Sequence, residues 1–154
     1  MPDLLEEFRA VVAALGRAGA PFAVCGGIAM GIHARPRATI DIDLLVPPAA
    51  VPDVARAAAT LGFEQRLRGP VRLGGGAVVM HGLTKMVPGD PEVLMLDVIE
   101  ARPGATALAW ESRVAADWEG VAVSVVSREG LITLKRLRGS PQDLADIHAL
   151  EVNE

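Results

Sequence analysis

The spacing of apolar residues changes along the chain, from helical spacing at both ends to short strand-like runs between them. Apolar positions three and four residues apart predict helices, because such positions share one face of a helix. Ser140 and Pro141 also mark a helix start, since serine is a favoured N-cap and proline fits the first helical position. The predicted helices cover residues 4–15, 28–34, 50–61, 127–138 and 140–151, and the weakly patterned segment 103–119 is compatible with another.

Short apolar or alternating runs, bounded by glycine and proline, predict strands between these helices. Gly74–Gly76 is predicted to form a hairpin turn, since no helix follows it. The predicted strands cover residues 21–25, 38–46, 63–68, 77–85, 92–100 and 121–126. We therefore expect one α+β domain over 1–154, with a mixed β-sheet flanked by helices in a core over about 20–126 and C-terminal helices over about 127–151 packed on it.

Composition and charge exclude several classes of function. A formal net charge of −4 and an aromatic content of 3% argue against a surface that binds nucleic acid non-specifically. Cys25 is the only cysteine, so the chain has no internal disulfide, and we expect Cys25 to be a small buried residue at a strand end. The first ten residues lack a signal-peptide pattern, and no apolar run is long enough to span a bilayer. We expect a cytoplasmic protein with no membrane partner.

Two aspartates interrupt an apolar run in the segment TIDIDLLV, residues 39–46. Residues two positions apart on a strand point to the same face, so the carboxylates of Asp41 and Asp43 would project together, about 6–7 Å apart. Two such carboxylates repel each other, and a Mg²⁺ ion between them, which prefers oxygen ligands, would relieve the repulsion. The alternative is a pair of solvent-facing acids on a half-exposed strand.

Two further features fit the same kind of site. Gly26 and Gly27 stand between a predicted strand and a predicted helix, where backbone N–H groups can approach a phosphate; an ordinary tight turn is the alternative. Asp97 lies in the later strand VLMLDVIE, which a mixed sheet could place beside the first two aspartates; the alternative is an acid at a fraying strand end. Together, in this order, the three features indicate a site for a metal and a phosphate.

The combination of Gly26-Gly27, Asp41-Ile42-Asp43 and a later Asp97 resembles the DNA polymerase beta-type nucleotidyltransferase superfamily. The segment GGIAMGIHARPRATIDIDLLV is similar to small bacterial nucleotidyltransferases, including the toxin component of abortive-infection type IV toxin–antitoxin pairs. The C-terminal segment VSREGLITLKRLRGSPQDLADIHAL resembles the C-terminal helices of the same group.

This resemblance implies a nucleotidyltransferase that uses two Mg²⁺ ions. It implies that Asp41 and Asp43 hold metal ions on a nucleoside triphosphate, and that Asp97 shares one metal and helps to activate an acceptor hydroxyl. Gly26 and Gly27 would bind the β- and γ-phosphates. The hydroxyl would attack the α-phosphate and release pyrophosphate. Gly27 stands where many members have serine, so one phosphate-binding hydroxyl is absent.

Three more residues are candidates for binding the nucleotide. Lys135 either contacts the triphosphate, with Asp143 helping to position it, or forms a salt bridge that fastens two helices. Arg37 lies in the loop before Asp41, where it either contacts phosphate or is solvated and pairs with Asp41.

Three hypotheses of function stay open at this point. The first is a nucleotidyltransferase with an RNA acceptor such as tRNA, in a toxin-like role with an antitoxin as partner. The second is a transferase that modifies a small hydroxylated molecule such as an antibiotic. The third is a non-catalytic module that binds a nucleotide or a partner. The acidic charge and the few aromatic rings weaken the first hypothesis, and the retained carboxylates weaken the third.

Overall fold

Helices and strands alternate in the first part of the chain and follow one another in groups after it in the structure, a computed structural model that describes residues 3–36, 39, 41–66 and 68–152. The helices in these residues are α1 (Leu4–Ala18), α2 (Gly26–His33), α3 (Val51–Ala59), α4 (Ala105–Glu111), α5 (Arg128–Arg138) and α6 (Pro141–Val152). The strands are β1 (Ala23–Cys25), β2 (Asp41–Val46), β3 (Glu64–Gln65), β4 (Val71–Leu73), β5 (Val78–Met86), β6 (Val93–Glu100), β7 (Val114–Trp118) and β8 (Val121–Val125). No helix in this part of the chain is both long enough and apolar enough to cross a bilayer.

The strands form one mixed sheet in the order β3-β5-β6-β2-β1-β8-β7, with β4 also paired to β5. The pairs β2–β6 and β1–β8 are parallel, and the other pairs are antiparallel. The central strands are the most buried, and Val24, Leu44 and Val125 have no exposed surface. This architecture confirms the predicted α+β class with a mixed sheet flanked by helices.

Helices cover both faces of the sheet. Adjacent residues of a strand point to opposite faces, so Val98 and Ile99 of β6 mark the two sides. α3 lies beside Val98, where it lines a groove, whereas α5 lies beside Ile99. On the long first helix, Phe8 packs edge-to-face on Trp118 of β7, with ring centroids 5.2 Å apart.

Two strands and one helix start differ from the predictions. β7 occupies part of the segment that is compatible with a helix, of which α4 takes only seven residues, and β4 was not predicted. Both strands pair with one neighbour only and are largely exposed, so their sequences carry little apolar pattern. α2 begins at Gly26 rather than at Ile28. The predicted hairpin turn is confirmed, since Gly74–Gly76 forms a short 3-10 turn in the loop that joins antiparallel β4 and β5.

A buried ion-pair network fastens α5 to α6. Lys135 Nζ donates to Asp146 Oδ2 at 2.8 Å and lies 3.8 Å from Asp143 Oδ1, and all three side chains are at most 5% exposed. Arg138 donates to both carboxylate oxygens of Asp143, at 2.8 and 3.2 Å. Ser140 caps α6, because its hydroxyl and backbone N–H both donate to Asp143, whose own N–H donates back to the hydroxyl. Although burial opposes it, these hydrogen bonds hold the pKa of Asp143 below its usual range.

We expect Lys135→Met to lower the free energy of unfolding by about 3 kcal/mol, because it removes a cation from between two buried carboxylates. The matched control is Arg136→Met on the same helix, where the pair with Glu151 is more than half exposed. That change should cost less than about 1 kcal/mol. Urea denaturation of both variants measures the two losses, and losses of equal size would contradict the expectation.

Candidate active site

Asp41, Asp43 and Asp97 lie on one face at the centre of the sheet. Asp41 and Asp43 are two residues apart on β2 and therefore share a face. In the parallel pairing of β2 with β6, Asp43 stands directly opposite Asp97, so their side chains also project to the same side. Ile42 and Leu44 point to the other side, where they are completely buried. The fold thus brings together the three carboxylates that the sequence indicates as candidate metal ligands.

Burial and mutual repulsion make these carboxylates difficult to ionise together. Burial, and then the charges of Asp97 and Asp41, raise the pKa of Asp43 to about 7. Burial also raises the pKa of Asp97, whereas the positive charge of the neighbouring Arg66 lowers it. A cation among the three carboxylates would favour their ionised forms.

The turn at Gly26 fits closely against Asp43. Gly26 has a φ of +66°, which side chains rarely adopt, and it begins α2 directly after β1. A Cβ at this position would lie 2.0 Å from Asp43 Oδ2, so a side chain does not fit. At Gly27 a Cβ would lie 3.0 Å from the hydroxyl oxygen of Thr39, which accepts the backbone N–H of Asp41 at 3.2 Å. Gly26 therefore lets the start of α2 approach Asp43, and Gly27 lets it approach Thr39, which is hydrogen-bonded to Asp41.

A narrow cavity of about 20 Å³ separates the Gly26 turn from α5. Lys135 and Arg138 line it together with Asp43, and both cations act to lower the pKa of Asp43. Cys25 also lines it; the thiol is buried, as expected, and burial raises its pKa. The predicted nucleotide-binding residue Lys135 thus lies beside the site, although its ammonium group is held in the buried network with Asp146.

Arg66 is part of the site, although no pattern in the sequence indicates it. Its Nη2 lies 3.2 Å from Asp97 Oδ1. The residue follows β3 at the edge of the sheet, in a segment with little apolar pattern, and its partner lies 31 residues away. No local signal in the sequence connects the two. Arg37, the one arginine that was predicted to bind nucleotide, lies outside the described residues.

The donor chemistry of the site fits a hard divalent cation. All three acidic side chains offer carboxylate oxygens, the ligands that Mg²⁺ prefers, and their repulsion is the kind that a cation relieves. Within the described residues, no three acidic, imidazole or thiol side chains form a ready ligand set for an ion. Asp41, Asp43 and Asp97 would therefore have to close in on the ion, with Asp97 moving relative to its present partner Arg66.

The fold is similar to that of solved nucleotidyltransferase structures. A Thermotoga maritima protein assigned to the nucleotidyltransferases is 12% identical, with 97% of this chain and 93% of that chain covered and a TM-score of 0.66. ANT(2″)-Ia, solved in complex with adenylyl-2″-tobramycin, is 18% identical over 96% and 87% of the two chains, with a TM-score of 0.64. The lincosamide antibiotic adenylyltransferase LnuA, bound to lincomycin, is 12% identical over 97% of both chains, with a TM-score of 0.62.

These similarities establish the fold of the nucleotidyltransferases and confirm the predicted nucleotidyltransferase-like fold. No protein-family model and no curated protein matches the sequence.

The raised pKa of Asp43 predicts a specific dependence of stability on pH. An aspartate in the unfolded chain loses its proton near about pH 4, whereas Asp43 in the folded protein does so at about 7. The folded state binds more protons between these values, so the metal-free protein should lose stability as the pH rises through this range. Asp43→Asn should remove most of this loss and raise the free energy of unfolding at about pH 8.

Urea denaturation in the presence of a chelator, at about pH 5 and about pH 8, checks this expectation. Asp53→Asn on α3 is the matched control, since it makes the same chemical change outside the site. An Asp43→Asn variant that keeps the pH dependence of the native protein would contradict the assignment of this dependence to Asp43.

Gly26 and Gly16 should respond in opposite ways to substitution by alanine. Gly26→Ala should lower the free energy of unfolding by about 2 kcal/mol or more, because the new Cβ meets Asp43 in a left-handed backbone conformation. Gly16 lies inside α1, and no atom of another element comes within 4 Å of the place that a Cβ would take, so Gly16→Ala should stabilise the protein by about 0.5–1 kcal/mol. Thermal denaturation of both variants measures the signs, and a stabilising Gly26→Ala would show that the turn is not held against Asp43.

Proposed function

We propose that the protein transfers a nucleoside monophosphate from a nucleoside triphosphate to a hydroxyl acceptor, in a reaction that depends on Mg²⁺. One observation carries this proposal: Asp41, Asp43 and Asp97 share one sheet face beside the Gly26 turn, in a fold that solved nucleotidyltransferases also have. The raised pKa of Asp43 adds support, because burial and then the negative charges of Asp97 and Asp41 oppose ionisation of its carboxyl group, which a bound cation would favour.

The carboxylates have distinct roles in this proposal. Asp41 and Asp43 would bind Mg²⁺, which would neutralise charge on the triphosphate and on the departing pyrophosphate. Asp97 would accept the proton of the acceptor hydroxyl while the hydroxyl oxygen attacks the α-phosphorus. The bond between the α-phosphorus and its bridging oxygen breaks, and pyrophosphate leaves with the bonding electrons.

Backbone and basic groups would hold the phosphates. Gly26 and Gly27 begin α2, so their N–H groups lie at the positive end of a helix. Of the two cations of α5 that line the cavity, Arg138 is 38% exposed and Lys135 only 3%. A phosphate could therefore reach Arg138 without opening the buried network, whereas contact with Lys135 requires its ion pair with Asp146 to break.

The acceptor that the observations favour is a small hydroxylated molecule. Two proteins of similar fold are solved with antibiotic ligands, one as an adenylyl-tobramycin complex and one with lincomycin bound. The net charge of −4 gives this chain no general attraction for an RNA backbone. A tRNA acceptor, an antitoxin partner and a cytoplasmic location stay predictions from the sequence.

We expect Asp97→Asn to reduce transfer about 10²–10⁴-fold while much of the triphosphate binding is retained, because the amide cannot accept the hydroxyl proton. Glu100→Gln is the matched control on the same strand, since Glu100 pairs with His81 and Arg102 and takes no part in the site. The assay combines the protein, Mg²⁺ and each labelled triphosphate with a panel of aminoglycosides, lincosamides and tRNA, and measures pyrophosphate release. Calorimetry measures triphosphate affinity.

Two results would contradict the proposal. The first is native protein that binds no triphosphate in the presence of Mg²⁺ and releases no pyrophosphate with any acceptor, which would favour a non-catalytic module. The second is an Asp97→Asn variant as active as Glu100→Gln, which would remove Asp97 from the reaction.

A further inference from the structure

The sheet holds Arg66 in place beside the carboxylates. The backbone N–H of Arg66 donates to the carbonyl of Gly82 on β5 at 2.9 Å. Gly82 itself stands opposite Asp97 in the antiparallel pairing of β5 with β6. The guanidinium reaches across this position, and its Nη2 lies 3.2 Å from Asp97 Oδ1. Both ends of Arg66 are thus tied to the two strands next to the site.

Gly82 makes the space in which the guanidinium lies. A Cβ at position 82 would be 2.3 Å from Nη2 and 2.7 Å from Cζ of Arg66. Any side chain at position 82 would therefore displace the guanidinium from Asp97. The missing side chain at Gly82 and the ion pair of Arg66 with Asp97 belong to one arrangement.

The hydrogen bonding of this guanidinium is incomplete. Its Nη1 is buried and has no hydrogen-bond partner among the described residues. A buried N–H group with an unmade hydrogen bond costs free energy unless nearby charges compensate, and here 26% of the Arg66 side chain is still exposed. The compensating charges here are those of the carboxylates, of which Asp97 is in direct contact. The electrostatic attraction, rather than a full set of hydrogen bonds, holds Arg66 at the site.

We propose that Arg66 is a built-in counter-cation of the three carboxylates, which competes with the divalent ion for them. This inference rests on the proposed function, since it takes Asp41, Asp43 and Asp97 as the metal-binding groups. The guanidinium neutralises part of the cluster when no metal is bound. A divalent ion must displace it from Asp97 or share that carboxylate with it. Arg66 therefore lowers the affinity of the chain for the free ion.

The test measures how tightly Mn²⁺ alone binds to the metal-free full chain. The electron paramagnetic resonance signal of the unbound ion reports the amount that is bound. Arg66→Gln should bind Mn²⁺ at least about tenfold more tightly than the native protein, because a positive charge beside the ion is removed. Arg68→Gln is the matched control, since Arg68 is exposed, lies two residues away and makes no ion pair with the residues that the structure describes. It removes the same charge and should leave the affinity nearly unchanged.

Gly82→Ala separates displacement of the guanidinium from loss of net charge. Its new methyl group should push Arg66 off Asp97 while every charge is retained, so Mn²⁺ affinity should also rise, by several-fold. The backbone of Gly82 does not lie in the left-handed region, so alanine is compatible with the strand. This variant provides the test if Arg66→Gln does not fold.

Equal or weaker Mn²⁺ binding by both Arg66→Gln and Gly82→Ala, relative to the native protein, would overturn the inference. If the native protein still transfers nucleotide with Mg²⁺, the proposed function survives that result. If the variants bind Mn²⁺ more tightly but neither they nor the native protein transfers a nucleotide, Arg66 is confirmed as a competitor of the metal ion. The proposed transferase function is then rejected. A failure of native protein and variants alike to bind Mn²⁺ would overturn the inference, and the transfer assay then decides the proposed function separately.

A second measurement needs no metal at all. Without metal, Arg66→Gln should lower the Tm more than Arg68→Gln does, because the cluster loses its counter-cation. Adding Asp97→Asn should remove this difference, since the repulsion that Arg66 offsets is then smaller. Equal Tm values for Arg66→Gln and Arg68→Gln would show that Arg66 does not neutralise the cluster.

Discussion

Repulsion between carboxylates at the centre of the sheet is the constraint to which the neighbouring structure responds. The parallel pairing of β2 with β6 sets Asp43 opposite Asp97, and the periodicity of the strand adds Asp41 to the same face. Ionised acids in such a position are unfavourable unless positive charge is supplied. The fold supplies it from two sides, with Arg66 at one edge and the cations of α5 across a narrow cavity. The remaining repulsion lowers the stability of the folded protein, and a cation that binds among the carboxylates gains affinity by relieving it.

The compensating charges come from segments that are far apart in the sequence. Arg66 follows β3, whereas Lys135 and Arg138 belong to a helix near the C-terminus. The site is therefore a property of the whole sheet and of the α5–α6 pair. Residues that hold those helices together, such as Asp143 and Asp146, influence it without lying on the sheet face.

The parts of this site that depend on residues close together in the chain could be predicted from the sequence. The alternation around Ile42 predicts that Asp41 and Asp43 share a face, and the glycine pair at the start of α2 predicts a close turn, because both features depend on neighbouring residues. Asp97 stands out as an acid within the apolar strand VLMLDVIE, and the resemblance to nucleotidyltransferases connects it with the first two aspartates. Arg66 could not be predicted, because its role depends on a pairing between strands and on the missing side chain of Gly82.

The same reasoning explains the other differences. Strands β4 and β7 each pair with one neighbouring strand and are only partly buried, so their sequences show no apolar pattern. The sequence left two interpretations of Lys135 open, and its full burial between two acids shows that at least the salt bridge exists.

The parallel pairing of β1 with β8 also bears on how the chain is synthesised. Val24 of β1 pairs with Val125 of β8, about a hundred residues later, and such distant contacts slow folding. During translation the central strand cannot obtain its second neighbour until most of the chain has left the ribosome. Until then, the three-residue β1 exposes an unpaired apolar edge, so the nascent chain has a period in which association with chaperones, or with other chains, competes with completion of the sheet.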